Sequence, residues 1–154
     1  MNIIERIEIK HFRSFDGGKG REKVIIENLQ DLNIFSGAND SGKSNVLRAL
    51  NLFFNDEISP GLKFDKTRDF SKIVANRFDE DLTKRKSVEL KRIEDLKVLG
   101  INEKAKDFRR SDEIVSIKLF FNNKKKQRGL PQSFWVSKSY SQKNNFEGEY
   151  IYQT

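Results

Sequence analysis

Gly37-Ala38-Asn39-Asp40-Ser41-Gly42-Lys43-Ser44 reads as glycine, four residues, glycine, lysine, serine, and the pattern occurs once in the chain. Each position has a physical task. Glycines let the backbone enter left-handed conformations and approach an oxyanion with no Cβ in the way. The N–H groups so exposed, with the first turn and positive dipole end of a following helix, make a nest for a β-phosphate. Lys43 brings a mobile positive charge to the β and γ oxygens, and the Ser44 hydroxyl suits an inner-shell position on Mg²⁺. The plainer alternative is that Gly37 and Gly42 merely make a tight turn from strand to helix.

The flanks fit a strand, loop and helix. Upstream, Leu32-Asn33-Ile34-Phe35 is a short apolar run that predicts a strand entering the loop. Downstream, Val46, Leu47, Leu50, Phe53 and Phe54 recur at helical spacing and predict a helix over 44–54. Breakers through 55–61, among them Pro60 and Gly61, stop it. Further upstream, Ile7 and Ile9 alternate with Glu8 and Lys10, which predicts a half-buried strand over 3–12. A turn cluster at 16–20 leads to a second strand at Val24-Ile25-Ile26.

Beyond the helix, residues 62–112 are highly charged and read as an inserted, loosely packed excursion. Within them a helix is predicted over 87–99, with a thin stripe of Val88, Ile93, Leu96 and Leu99, ended by Gly100. Strand character returns at 114–121, where Val115, Ile117, Leu119 and Phe121 alternate with their neighbours. Two more strands follow at 133–139 and 149–152. The sequence stops at Thr154 inside or just after a strand and has the look of a cut chain.

Composition excludes several chemistries. The 154 residues contain no cysteine and one histidine, so disulfides, thiolate catalysis and cysteine-ligated zinc are ruled out. His11 cannot build a histidine metal site alone and reads as a structural residue at a strand end. No apolar stretch approaches the ~20 residues of a bilayer crossing, and the first residues lack a signal-peptide layout, so a cytoplasmic location is expected. The net charge is +7, and residues 57–154, with 22 Lys/Arg against 15 Asp/Glu, carry all of it. Such an excess fits a polyanion such as DNA, or simply a solvated lysine-rich face. Lys84-Arg85-Lys86, Lys91-Arg92, Arg109-Arg110 and Lys124-Lys125-Lys126-Gln127-Arg128 are basic clusters, the last shortly before Phe134, Trp135 and Tyr140. Those aromatics could stack bases, or fill a core.

Two longer stretches carry a family resemblance: Ile7-Glu8-Ile9-Lys10-His11-Phe12-Arg13-Ser14-Phe15, and the run from Leu32 through the glycine loop to Leu50. Together they resemble the ABC-type ATPase heads of the SMC, RecF and OLD (overcoming lysogenization defect) families, over residues 1–54. The resemblance implies an α/β P-loop NTPase fold: an N-terminal lobe with a mixed or antiparallel sheet, the loop's helix and a charged helical insertion. It divides the chain into 1–56 (strands, loop and helix), 57–112 (insertion) and 113–154 (antiparallel strands), with the C-terminal half of the head absent. It also implies ATP and Mg²⁺, held by Gly37, Asn39, Asp40, Ser41, Gly42, Lys43, Ser44 and Asn45, with Ser44 on the metal. Asn39 would contact the γ-phosphate region, Asn45 would donate its backbone N–H, and Arg13 would lie near the phosphates. Asp40 favours the OLD-like branch, and Gln153 is the nearest match to a glutamine that senses Mg²⁺.

The departures bear on activity. Such heads need an apolar run ending in Asp-Glu, to support Mg²⁺ and activate water, and a Ser-Gly-Gly-type signature facing the partner's ATP. Neither occurs in this sequence, so it offers no catalytic residue. The expectation is an ATP-binding lobe, forming a homodimer or larger assembly through its heads and associated with DNA in repair or anti-phage defence. Hydrolysis would require a missing part or a partner chain. The alternatives are a nucleotide-gated module without turnover, and a basic nucleic-acid-binding protein with a fortuitous glycine loop.

Overall fold

Alternation along the strands divides the molecule into a wet face and a dry one. In the computed structural model, which describes residues 3–16, 23–38, 42–109, 111–123, 128–129 and 131–153, strand β1 (Ile3–Lys10) buries Ile7 and Ile9. It pairs with β2 (Val24–Ile26) on one side and with β5 (Val115–Asn122) on the other. β6 (Ser133–Tyr140) and β7 (Glu149–Gln153) continue the sheet, giving the order β2-β1-β5-β6-β7 with every pair antiparallel. Val115, Ile117, Leu119 and Tyr140 join Ile7 and Ile9 on the dry face.

Helix α1 (Lys43–Asn55) covers that face with Val46, Ala49, Leu52 and Phe53, all buried. The predicted helix thus forms with its ends one residue further out, and its C-terminus is bolted to the sheet. Lys138 is fully buried because β6 alternation turns it inward between Val136 and Tyr140. Its Nζ donates to the Phe53 carbonyl at 3.1 Å and pairs with Asp56 at 2.5 Å, at the negative end of the helix dipole. Tyr140 donates to the Leu52 carbonyl at 3.0 Å, and Tyr150 to the Phe53 carbonyl at 2.7 Å. Burial, then the nearby Asp56 carboxylate, raises the Tyr140 phenol well above its ordinary value, so it remains a donor.

Residues 57–112 differ from expectation in two ways. A small hairpin, β3 (Glu57–Ser59) and β4 (Leu62–Lys63), spans the breaker-rich stretch, a single turn, α2 (Lys66–Asp69), follows it, and Ile58 and Phe70 enter the core. Helix α3 (Lys72–Val98) starts 15 residues before the predicted one. Only Val74, Glu89 and Ile93 are buried along it, so no apolar stripe marks its first half, which docks through Val74 and Phe78. Gly100, at φ 74°, ends it as predicted, with the Ile101 N–H returning to the Leu96 carbonyl at 3.0 Å.

The strand expected at 32–35 does not form. Leu32 and Ile34 are 80% and 84% exposed, and among the described residues no strand lies alongside to take their backbone hydrogen bonds. An extended segment without a neighbour has no ladder to join.

Candidate functional site

The first turn of α1 starts at a glycine and carries no acid. Gly42 is its N-cap in the left-handed region at φ 90°, with no capping side chain and no acid in the turn that follows. A Cβ at Gly42 would sit 2.9 Å from the Phe15 ring, so glycine is required both for the backbone angle and for the space. Lys43 folds its ammonium back over the loop, donating to the carbonyls of Gly37 at 2.5 Å and Ala38 at 2.6 Å. Ser44 is exposed on the same turn. Asn39, Asp40 and Ser41 lie outside the described residues.

Phe12-Arg13-Ser14-Phe15 turns sharply beneath this helix start, the Phe15 N–H returning to the Phe12 carbonyl at 2.8 Å. Asn45 Nδ2 donates to Ser14 Oγ at 2.9 Å, and the Asn45 N–H is taken by the Gly42 carbonyl at 2.9 Å. The segment before the turn is backed by the α2–α3 junction. His11 accepts the Ser71 N–H through its carbonyl at 2.9 Å, and the Arg13 N–H donates to the Asp69 carbonyl at 2.8 Å. His11 itself is buried, its Nδ1 3.1 Å from the Ile114 carbonyl and its ring edge-on to Phe70 and Phe78, a structural role at the end of β1.

Arg13 holds Asp69 with its Nε at 2.8 Å and Nη2 at 2.7 Å. Asp69 is fully buried and also accepts from Arg68 and from the Asp65 N–H. Burial opposes its ionisation, but the hydrogen bonds from Arg68, Asp65 and Arg13, with the Arg13 charge, prevail and hold its carboxyl below the usual value. Nothing in the sequence around Asp69 marks it. Its part is to fix the turn bearing Arg13 and Ser14 against the start of α1.

ATP and Mg²⁺ fit what is present. Lys43 and the uncapped helix start would hold phosphate oxygens, and the Ser44 hydroxyl would offer one metal ligand. Among the described residues no group of three His, Asp or Glu side chains gathers to hold a metal. The remaining Mg²⁺ ligands would be phosphate oxygens and water, as this ion prefers.

The aromatics read beside the basic loop part company. Tyr140 is buried under α1 and cannot meet a base, and Phe134 stacks on Phe121 at 4.9 Å on the dry side of the sheet. Trp135 alone of the three faces the wet side. Gln153 sits on β7, where its Oε1 accepts from Trp135 Nε1 at 3.1 Å.

Comparison with known proteins follows this geometry. The AAA ATPase domain model matches residues 1–153. The chain belongs to the AAA ATPase domain family. This AAA ATPase domain is 36% identical over 78 residues to the chromosome partition protein Smc of Synechocystis sp., covering 51% of the chain and 6% of that protein. It is 41% identical over 54 residues to the uncharacterized protein MJECL44 of Methanocaldococcus jannaschii, covering 35% of the chain and 14% of that protein. The matches thus span a small part of either relative's length. A chain solved in work on ATP-driven dimerization and DNA stimulated activation of SMC ATPases shares 20% identity, with a TM-score of 0.49. The alignment covers 97% of this chain and 69% of that one. No helix among the described residues is long and apolar enough to cross a membrane.

Proposed function

We propose that this AAA ATPase domain is the ATP-binding lobe of an SMC-like, ABC-type head that associates with DNA, in repair or in defence against phage. The observation that carries the reading is the helix start at Gly42-Lys43-Ser44. Its N-cap Gly42 has no side-chain cap, it sits against Phe15 of the turn after β1, and it carries a lysine folded onto its own loop. In this reading Lys43 exchanges the Gly37 and Ala38 carbonyls for phosphate oxygens, Ser44 meets Mg²⁺, and Gly37, Asn39, Asp40, Ser41, Gly42 and Asn45 complete the cradle. Arg13 stands behind it, and DNA meets the basic surface. Two heads close on the nucleotide, and hydrolysis depends on a further part of the head or a partner chain that bears the motifs this sequence lacks.

Calorimetric titration with Mg·ATP tests the assignment. Binding by the full chain should weaken at least about tenfold in Lys43→Ala, the loss expected for one charge-assisted phosphate contact. Unchanged affinity would sink it. The lack of an Asp-Glu-terminated apolar run in this sequence favours a second reading, a module that associates on binding ATP and releases no phosphate. Steeply salt-dependent DNA binding with no response to ATP would instead favour a plain basic nucleic-acid binder.

A further inference from the structure

Strand register places Arg6 opposite Phe120, Phe120 opposite Trp135 and Trp135 opposite Gln153, so four strands build one transverse row on the face away from α1. The members touch. The Arg6 guanidinium lies 3.8 Å from the Phe120 centroid, and Trp135 donates to Gln153. From the next row Lys118 lays its Nζ over the Trp135 ring at 3.7 Å from the centroid. Phe120 and Trp135 are only half-buried, an aromatic pair in the middle of a wet sheet face whose other members are mostly serines and charges, with Ile25 and Ile151 towards its edges. Beside them a hollow is bounded by Lys10, Lys23, Lys118, Ser116 and one acid, Glu8. Glu8 is already held by Arg6 at 2.7 Å and Lys23 at 2.6 Å.

We infer that this face binds a single-stranded polynucleotide, with successive bases stacked on Phe120 and Trp135 and the adjoining phosphates on Lys118, Lys10 and Arg6. The inference rests on the DNA-associated reading above and names its surface. Rings lying side by side across strands offer planes that only unpaired bases can meet, since bases in a duplex already stack on one another. A base stacked on a ring is worth more than an exposed cation–π contact, so the base displaces the ammonium and the ammonium passes to a phosphate. The charge agrees: both aromatic strands belong to residues 57–154, which hold the chain's whole positive excess.

Trp135 is the single tryptophan, so its emission reports on this face directly. The full chain is titrated with oligothymidylate, oligouridylate and a duplex of equal length, without nucleotide or Mg²⁺, so the outcome does not depend on ATP binding at Lys43. Quenching by a single strand, with binding about tenfold weaker in Phe120→Ala, is the expected result for loss of one stacked base. The tighter of the two single strands then names the natural source. Trp135→Phe should retain binding, followed by anisotropy of a labelled strand. Should Phe120→Ala fold poorly, Phe120→Leu keeps the packing and removes the stacking plane. Binding without quenching, unchanged affinity in the Phe120 variant, or preference for the duplex would each overturn the assignment.

Discussion

Gly42 shows how much one residue can be asked to do. Its φ of 90° lies where an L side chain is strained by roughly 1–2 kcal/mol, and the missing Cβ is also the space that Phe15 fills. Gly61, at φ 75°, has the same kind of backbone but open space around it. Alanine at each position therefore separates the two effects. Urea unfolding should show Gly61→Ala losing about 1 kcal/mol and Gly42→Ala clearly more, about 2–3 kcal/mol, because the Phe15 ring must move as well. Equal losses would mean that Phe15 yields freely and that the aromatic does not seat the loop. The sequence pointed to a glycine needed for a tight turn from loop to helix; its contact with Phe15 was not legible, because Phe15 is 27 residues away and the contact exists only after folding.

At the level of elements, what could be read was what periodicity records. The strands β1, β2, β5 and β6 and the helix α1 each turn one face to the core, so their apolar residues recur at the period of the structure, whereas β7 is exposed along its length. Helix α3 buries only Val74, Glu89 and Ile93, so the sequence showed just its second half. There Ile93 is buried but Val88 and Leu99 of the expected stripe are exposed, and polar contacts add to its hold. Glu89 is the clearest case. It accepts from Arg92 at 2.8 Å and from the Lys106 N–H at 2.9 Å, clasping the segment after Gly100 back onto the helix. The Arg92 hydrogen bond first, and the Lys106 N–H next, hold its carboxyl at about 2, below the unperturbed 4.5. A carboxyl depressed in the folded state stabilises above its unfolded value and loses that contribution as pH falls. The clasp should therefore persist at pH 5 and above and weaken progressively from about pH 4.5 towards pH 2. NMR titration of the Glu89 carboxyl checks the midpoint, and Glu89→Gln should flatten the pH dependence of stability within that window. A midpoint near the ordinary carboxylate value would show the clasp to be open in solution.

Across the whole molecule the dry side of the sheet is covered beneath α1, and other apolar surface is left open. α1 packs on the strands with Val46, Ala49, Leu52 and Phe53, yet turns Leu47 and Phe54 outward, while Leu32 and Ile34 stand exposed ahead of the loop. The sequence could announce a strand at 32–35 but could not show what it would pair with, since pairing is a property of the assembled sheet. The same division applies to chemistry. In the proposed reading the loop supplies charge and N–H groups to phosphate, whereas turnover also needs a carboxylate to orient the attacking water, and the chain has no Asp-Glu-terminated apolar run to supply it. The 154-residue chain should accordingly bind Mg·ATP and leave it intact. In a phosphate-release assay with saturating ATP, its rate should match the Lys43→Ala control, with DNA present or absent. Release above that control would place a water-activating group within these residues and move the chain from an incomplete lobe to an enzyme in its own right.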